Sequence, residues 1–197
     1  MQRKCNYSCR NKLNSSYIKW LLEVLGPVIL GSKPCEILNI SSKDENKESK
    51  IIEIQSFFDN CSRITYEIIS MDDGSLRLLF LNEKALNEVL NNKKCLNFLK
   101  YLGYPEKFSV KSYKNVLIDK LRTKDFPHEI GIFLGYPLKD VVGFMGYGNY
   151  KLSKIKYWKV YGDPEISDNI YNKFLYHREK MRKILELNTL DSFKFVF

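Results

Sequence analysis

The stretch FPHEIGIFLGYPLKDVVGFMGYG, residues 126–148, contains the side chains best suited to acid–base chemistry. His128 and Glu129 stand there between a proline and an apolar run that ends at a Gly-Tyr-Pro turn. Imidazole is the side chain that exchanges protons most readily near neutral pH, and the chain has only two histidines, His128 and His177. His177 lies among lysines and arginines, a setting typical of a solvated basic surface. His128 is therefore the first candidate for proton transfer.

Cysteine thiols are the candidate nucleophiles of the chain. Their odd number and irregular spacing argue against a disulfide framework. Cys5 and Cys9 form a lone C-x3-C pair with no second pair or nearby histidine, so no structural metal is expected. The glycines of VVGFMGYGNY match neither the G-x-G-x-x-G pattern nor a Walker motif, so no nucleotide cofactor is expected. The five cysteines are Cys5, Cys9, Cys35, Cys61 and Cys95.

The net charge of +9 favours an anionic partner. An acidic carrier protein, an acidic peptide, nucleic acid and an acidic membrane surface all fit this sign. Much of the excess is lysine scattered among Asn, Glu and Ser, which is typical of a solvated surface, and no RNP or zinc-finger pattern is present. An acidic carrier protein or peptide substrate is therefore preferred, and nucleic acid remains the alternative.

The apolar segments predict a globular protein with no membrane span. The longest, WLLEVLGPVILG, is too short to cross a bilayer and is interrupted by Glu23 and Pro27. The first residues contain no apolar core of a secretory signal. We therefore expect a cytoplasmic protein with reduced thiols.

The first half of the chain predicts helices around a β-hairpin. Apolar residues at helical spacing indicate a helix over 15–30 that is interrupted at Gly26-Pro27. The polar segment 41–50 is expected to be an exposed loop. Two β-rich runs within 62–81 flank Asp73-Gly74, a strong hairpin signal. Helices are then expected over 82–103 and over about 109–123.

The second half should carry the candidate site. HEIGIFL is interpreted as a short buried strand, PLKDVVGFM as a short helix and KIKYWKVYG as another strand. Asp163-Pro164-Glu165 predicts the start of a last helix that runs to about residue 188. The fold class is thus α+β, with a small antiparallel or mixed sheet packed against helices. We expect a single globular domain over 15–188, a mobile N-terminal extension over 1–14 and a C-terminal tail over 189–197.

The string HEIGIFLGYPLKDVVGFMGYGNYKL, followed by YWKVYGD and preceded by GPVILGSKP, resembles the bacterial family called domain of unknown function 3793. The resemblance covers roughly residues 15–180 and implies no activity. Members carry a cysteine two residues before the proline of a C-A-P-T-L-A-G-x-K stretch. Aligning Pro27, Gly31 and Lys33 with that stretch places Leu25 where those members have the cysteine.

HEIGIFLG also resembles the strand of papain-like folds, including the NlpC/P60 hydrolases, in which a histidine opens an apolar strand. That resemblance implies a cysteine nucleophile, an imidazole that withdraws its proton and a polar residue that orients the ring. Carried onto this chain, the order is met by Cys35, His128 and Asp140. Cys9 is the second choice of nucleophile, because it lies in the N-terminal extension.

Two functional hypotheses follow from these residues. The first is a papain-like acyl-transferring protein, either a thiol peptidase or an amide-forming acyltransferase. The second is a non-catalytic binding or accessory protein of the same fold, in which Leu25 replaces the nucleophile. Each site residue also has an ordinary structural role: His128 can bond a backbone carbonyl at a turn, and Asp140 can cap the short helix.

Overall fold

The computed structural model describes residues 15–59 and 61–187, and this part of the chain confirms the α+β class. The predicted extension over 1–14 and the predicted tail over 189–197 lie outside the described residues. The helices are α1 (Ser16–Val24), α2 (Gly26–Ile29), α3 (Lys47–Phe58), α4 (Glu83–Leu90), α5 (Lys93–Tyr101), α6 (Val110–Leu121), α7 (Ile130–Phe133), α8 (Leu138–Phe144) and α9 (Glu165–Leu187). The strands are β1 (Cys35–Ile40), β2 (Thr65–Ser70), β3 (Leu76–Leu81), β4 (Leu152–Ile155) and β5 (Lys159–Tyr161).

A three-stranded antiparallel sheet lies at the centre of the core. Strand β3 is the middle strand, between β1 and β2. Side chains alternate across a strand, so Leu79 and Leu81 join one buried cluster, while Leu78 and Phe80 join another. The sheet is therefore covered on both faces.

The predicted hairpin at Asp73-Gly74 is confirmed as the β2–β3 connection. Gly74 has φ 78°, a left-handed conformation that glycine adopts without steric cost. Asp73 contributes as well, because its carboxylate accepts hydrogen bonds from the backbone N and the hydroxyl of Ser75. This turn could be predicted from the sequence because Asp73 and Gly74 themselves specify its conformation.

The interrupted first helix is also confirmed. Ser15 caps α1, with its hydroxyl accepting from the Ile18 backbone N at 3.3 Å. Leu25 separates α1 from α2, and Pro27 lies in the first turn of α2, where its missing N–H costs nothing. A Cβ at Gly26 would lie 2.8 Å from the Met181 Cβ, so the absent side chain lets α2 pack closely against α9.

The interpretation of HEIGIFL as a strand was wrong. The segment forms the short helix α7, in which the Leu134 backbone N donates to the Ile130 carbonyl at 2.8 Å. All four residues of α7 are buried. An apolar run buried on every side has no periodicity, and periodicity is the signal that distinguishes a helix from a strand.

Three other boundaries differ from expectation. The predicted loop over 41–50 is shorter, because α3 begins at Lys47. The predicted helix over 82–103 is two helices, because Asn92 caps α5 by accepting from the backbone N of Lys94 and of Cys95. KIKYWKVYG is not one strand: it contains a turn between the end of β4 and β5, which pair antiparallel.

Within the described ranges, no helix has the length and apolar character needed to cross a bilayer.

Candidate functional site

A cavity of about 440 Å³ opens between the α7–α8 segment and the β4–β5 hairpin. The α7–α8 side contributes aliphatic walls from Ile130, Leu134 and Val141, which are buried. Two exposed apolar side chains, Phe144 and Ile155, stand at the rim from opposite sides. The cavity therefore has an apolar interior that reaches solvent between apolar side chains.

An aromatic stack forms one wall of this cavity. The Tyr136 and Trp158 rings are stacked, with centroids 4.3 Å apart and planes 17° apart. Phe174 of α9 packs behind Trp158, at 6.2 Å between ring centroids. Trp158 is only 8% exposed, as expected of a core residue, yet it lines the cavity as well. The contacts with Tyr136 and Phe174 therefore hold the Trp158 ring in place at the wall of the cavity.

Asp140, in α8, holds the elements around the cavity together. It is 2% exposed, and each carboxylate oxygen accepts two hydrogen bonds. Oδ2 accepts from Trp158 Nε1 and from the Ser167 hydroxyl of α9, both at 2.7 Å. Oδ1 accepts from Lys139 Nζ at 2.7 Å and from the Tyr161 backbone N at 2.8 Å. One carboxylate therefore joins α8, the hairpin and α9.

These bonds are not those predicted for Asp140. The expected partner was the His128 imidazole, and His128 is not among the four donors that the described structure gives Asp140. Nor does Asp140 cap α8, whose N-cap is Pro137. His128 and Asp140 do line the same cavity.

His128 is exposed at the cavity rim, next to Phe144. The two rings lie edge to face, with centroids 5.0 Å apart and planes 87° apart. The ammonium of Lys159 approaches the same Phe144 ring at 5.4 Å from its centroid. An imidazole and an ammonium therefore contact one aromatic ring at the rim, although they are distant in sequence.

Glu129, next to His128 in the chain, points into the protein. Its carboxylate accepts from Lys120 Nζ at 2.6 Å and from the Tyr104 hydroxyl at 3.4 Å. Burial, followed by the nearby Glu129 charge, raises the pKa of the Tyr104 phenol well above its usual range. The ionisable pair thus has two roles: Glu129 is a buried anchor for α6, and His128 faces the cavity.

Cys35 lies away from this cavity. It is the first residue of β1, pairs with Leu81 and is fully buried. Burial raises the pKa of its thiol far above the ordinary value, and the Lys33 charge offsets this only in part. The cavity is not lined by Cys35, although it is lined by His128 and Asp140. Its proposed role as nucleophile remains a prediction.

The other sulfur positions bear on the same question. Burial also raises the pKa of Cys95, whereas Cys61 is half-buried. Cys5 and Cys9 lie outside the described residues.

Leu25, aligned above with a family cysteine, is fully buried among the side chains of α1 and α2 and does not line the cavity. Within the described ranges no cluster of His, Cys, Asp and Glu could hold a metal ion.

Sequence reasoning missed Lys159, Phe144 and the anchoring role of Asp140. KIKYWKVYG carried the relevant signal, because alternating lysines and aromatic residues are unusual in a fully buried strand. The contact between Lys159 and Phe144 depends on how the hairpin returns over α8. No spacing in the sequence specifies that return.

Comparison with known proteins identifies a family that the chain matches. A family model described as "Protein of unknown function (DUF3793)" matches residues 21–192. No curated protein and no solved structure matches the chain.

Proposed function

The chain belongs to the DUF3793 family of proteins of unknown function, and we propose from the geometry of its cavity that it is a binding protein. Its ligand places an apolar group, aromatic or aliphatic, in the cavity between α7–α8 and the β4–β5 hairpin. Binding, rather than acyl transfer, is the function that the geometry supports best.

The lining of the cavity is the observation that carries this proposal. A volume of about 440 Å³ lies within the range of about 300–1,000 Å³ that is usual for small-molecule sites. The lining is mostly aliphatic and aromatic, with a few polar and charged side chains among them. Exposed apolar surface is costly in water, so apolar residues that surround a cavity favour a binding role.

The state of the thiols supports binding over acyl transfer. A thiol mechanism needs a sulfur within hydrogen-bond reach of the imidazole, and the thiol must ionise readily. Cys35 is fully buried, its pKa is raised, and it lies outside the cavity lining that contains His128. The acyl-transfer hypothesis stays a prediction with its own test below.

The proposal is tested with N-phenyl-1-naphthylamine, a neutral probe that fluoresces in apolar surroundings. We expect saturable binding to the folded protein. Ile155→Ala should weaken binding about fivefold, because it removes about 1 kcal/mol of apolar contact at the rim.

Ile166→Ala is the matched control for this substitution. Ile155 and Ile166 are 69% and 59% exposed, and only Ile155 lines the cavity. The control should bind the probe as the natural protein does. Equal affinities for both variants, or no saturable binding at all, would contradict the proposed function.

A further inference from the structure

We propose that the ligand of this cavity is an apolar acid, whose anionic group is bound at the rim by Lys159 and His128. The inference rests on the proposed function and names the class of its ligand. Carboxylates and sulfonates share the required chemistry, namely a negative charge with several acceptor oxygens attached to an apolar body.

Two charged groups in the cavity lining already have partners within the protein. Asp140 is the acid in its lining, and Lys139 Nζ lies 2.7 Å from its Oδ1, so this negative charge is compensated. Lys156 is a cation in the lining, and its Nζ lies 2.7 Å from Asp168 Oδ1. Both charges are therefore already balanced within the protein.

Lys159 and His128 differ from those residues. Among the described residues, neither forms an ion pair or a side-chain hydrogen bond with the protein, and both are exposed at the rim. In the described part of the chain the ammonium of Lys159 approaches the Phe144 ring, a cation–π contact that is weak at an exposed site. An anion can replace that weak contact with a stronger one.

His128 and Lys159 approach the same Phe144 ring, at 5.0 Å and 5.4 Å from its centroid, and all three line the cavity. A group that emerges from the cavity beside Phe144 can therefore approach the nitrogen donors of either residue. The ammonium supplies charge and three donors, and the imidazole has an N–H even when neutral. Hydrogen bonds of this kind between charged partners are stronger than neutral ones.

The body of the ligand is expected to be apolar. The two donors and the apolar walls line one cavity, so the anionic group and the apolar body should belong to one small molecule. The nearby Glu129 carboxylate does not oppose the anion, because it points inward and lies 2.6 Å from Lys120 Nζ. The overall charge of +9 favours an anion as well.

Two probes with the same aromatic body separate this inference from simple apolar binding. 8-Anilinonaphthalene-1-sulfonate is N-phenyl-1-naphthylamine with one added sulfonate. We expect its Kd to be about tenfold lower, because the sulfonate adds hydrogen bonds to charged groups and solvent screens part of their strength at the rim. Both constants are measured by fluorescence titration at one ionic strength.

Lys159→Gln is the decisive variant, and Lys151→Gln is its control. Lys151 is exposed just before β4 and does not line the cavity, so both variants lose one charge from the same region. Lys159→Gln should raise the Kd of the sulfonate probe about tenfold and leave that of the neutral probe unchanged. Lys151→Gln should change neither Kd by more than about twofold, because Lys151 does not line the cavity and its exposed charge is screened by solvent and salt.

The outcomes distinguish the two proposals. Equal affinity for the two probes, or an equal effect of both lysine variants, overturns the anionic ligand and leaves the binding function standing. If the natural protein binds neither probe, or if Ile155→Ala changes the Kd of neither, the binding function itself is overturned.

Discussion

At the scale of single residues, Asp140 shows how one buried charge can be stabilised by its neighbours. A carboxylate removed from water loses its hydration, and this cost is offset only if hydrogen bonds replace it. Four donors do so here, two of them from the hairpin. Removing the carboxylate would leave the Trp158 N–H without its acceptor and the Lys139 ammonium without its counter-charge, with only the Tyr161 carbonyl and the Ser167 hydroxyl still accepting from Lys139 Nζ.

We therefore expect Asp140→Ala to lower the free energy of unfolding by about 3–5 kcal/mol, the usual cost of breaking a buried ion pair. The measurement is urea denaturation followed by circular dichroism. Asp119→Ala is the control, because Asp119 pairs with Arg122 on the surface and is 71% exposed. That variant should lose less than about 1 kcal/mol. Equal losses would show that Asp140 is not the anchor described above.

The thiols give a second prediction at this scale. In the folded protein near pH 7, Cys61 should react with iodoacetamide well before Cys35 and Cys95. The reagent attacks the thiolate, and burial both blocks access and raises the pKa of these two thiols. Replacing Cys5 and Cys9 with serine simplifies the mass spectrometry of the labelled peptides.

The acyl-transfer hypothesis expects the opposite order. A Cys35 paired with His128 should be labelled first, even at mildly acidic pH, because a neighbouring imidazolium stabilises the thiolate. Fast labelling of Cys35 would therefore restore the thiol mechanism and weaken the binding proposal.

At the scale of elements, the sequence predicted the features that depend on neighbouring residues but not those that depend on tertiary contacts. Asp73-Gly74 and Asp163-Pro164-Glu165 predicted a turn and a helix start correctly, because each specifies its own backbone. The segment that forms α7 gave no such signal, since its neighbours bury it on every side. The candidate site follows the same rule: His128 was singled out from its chemistry, whereas Lys159 reaches the Phe144 ring that His128 contacts only through tertiary packing.

The packing of the hairpin on α8 can be tested at Gly143. A Cβ there would lie 2.6 Å from the Tyr161 Cγ, so Gly143→Ala must push β5 away from α8. We expect a loss of about 1–3 kcal/mol of stability, typical of overpacking, and a weaker affinity for the neutral probe. Thermal denaturation and fluorescence titration measure the two effects.

Gly26→Ala is the control for that variant. Its Cβ would also be too close to a neighbour, at 2.8 Å from the Met181 Cβ, but this contact lies between α2 and α9. The control should lose comparable stability and keep the affinity of the natural protein. If both variants lose affinity equally, general loosening of the fold explains the effect better than the hairpin does.

At the scale of the whole molecule, the central strand connects the two hydrophobic clusters. Leu78 and Leu79 of β3 are both fully buried, and each belongs to a different cluster. The prediction of a single domain implies that the clusters unfold together, because neither can lose its side of β3 alone.

We expect Leu78→Ala and Leu79→Ala each to lower the free energy of unfolding by about 2–5 kcal/mol. Each variant should unfold in one transition, with the same midpoint by circular dichroism and by tryptophan fluorescence. Two separate transitions in either variant would mean that the faces of the sheet are independent units. The predicted domain would then have to be divided.

The single carboxylate that joins α8, β5 and α9 has a consequence for motion. Strands β4 and β5 pair with each other and with no third strand in the described chain, so tertiary contacts to α8 and α9 must hold the hairpin. Separation of the hairpin from α8 would break the bonds of Asp140 to Trp158 and to Tyr161 in the same event. We expect the amide protons of β5 and of the first turns of α9 to exchange with solvent as one unit, which hydrogen exchange can measure. A ligand that contacts both α8 and the hairpin would then slow amide exchange in β5 and in the first turns of α9 by the same factor. It would do so although β5 contributes to the cavity lining and no described residue of α9 does.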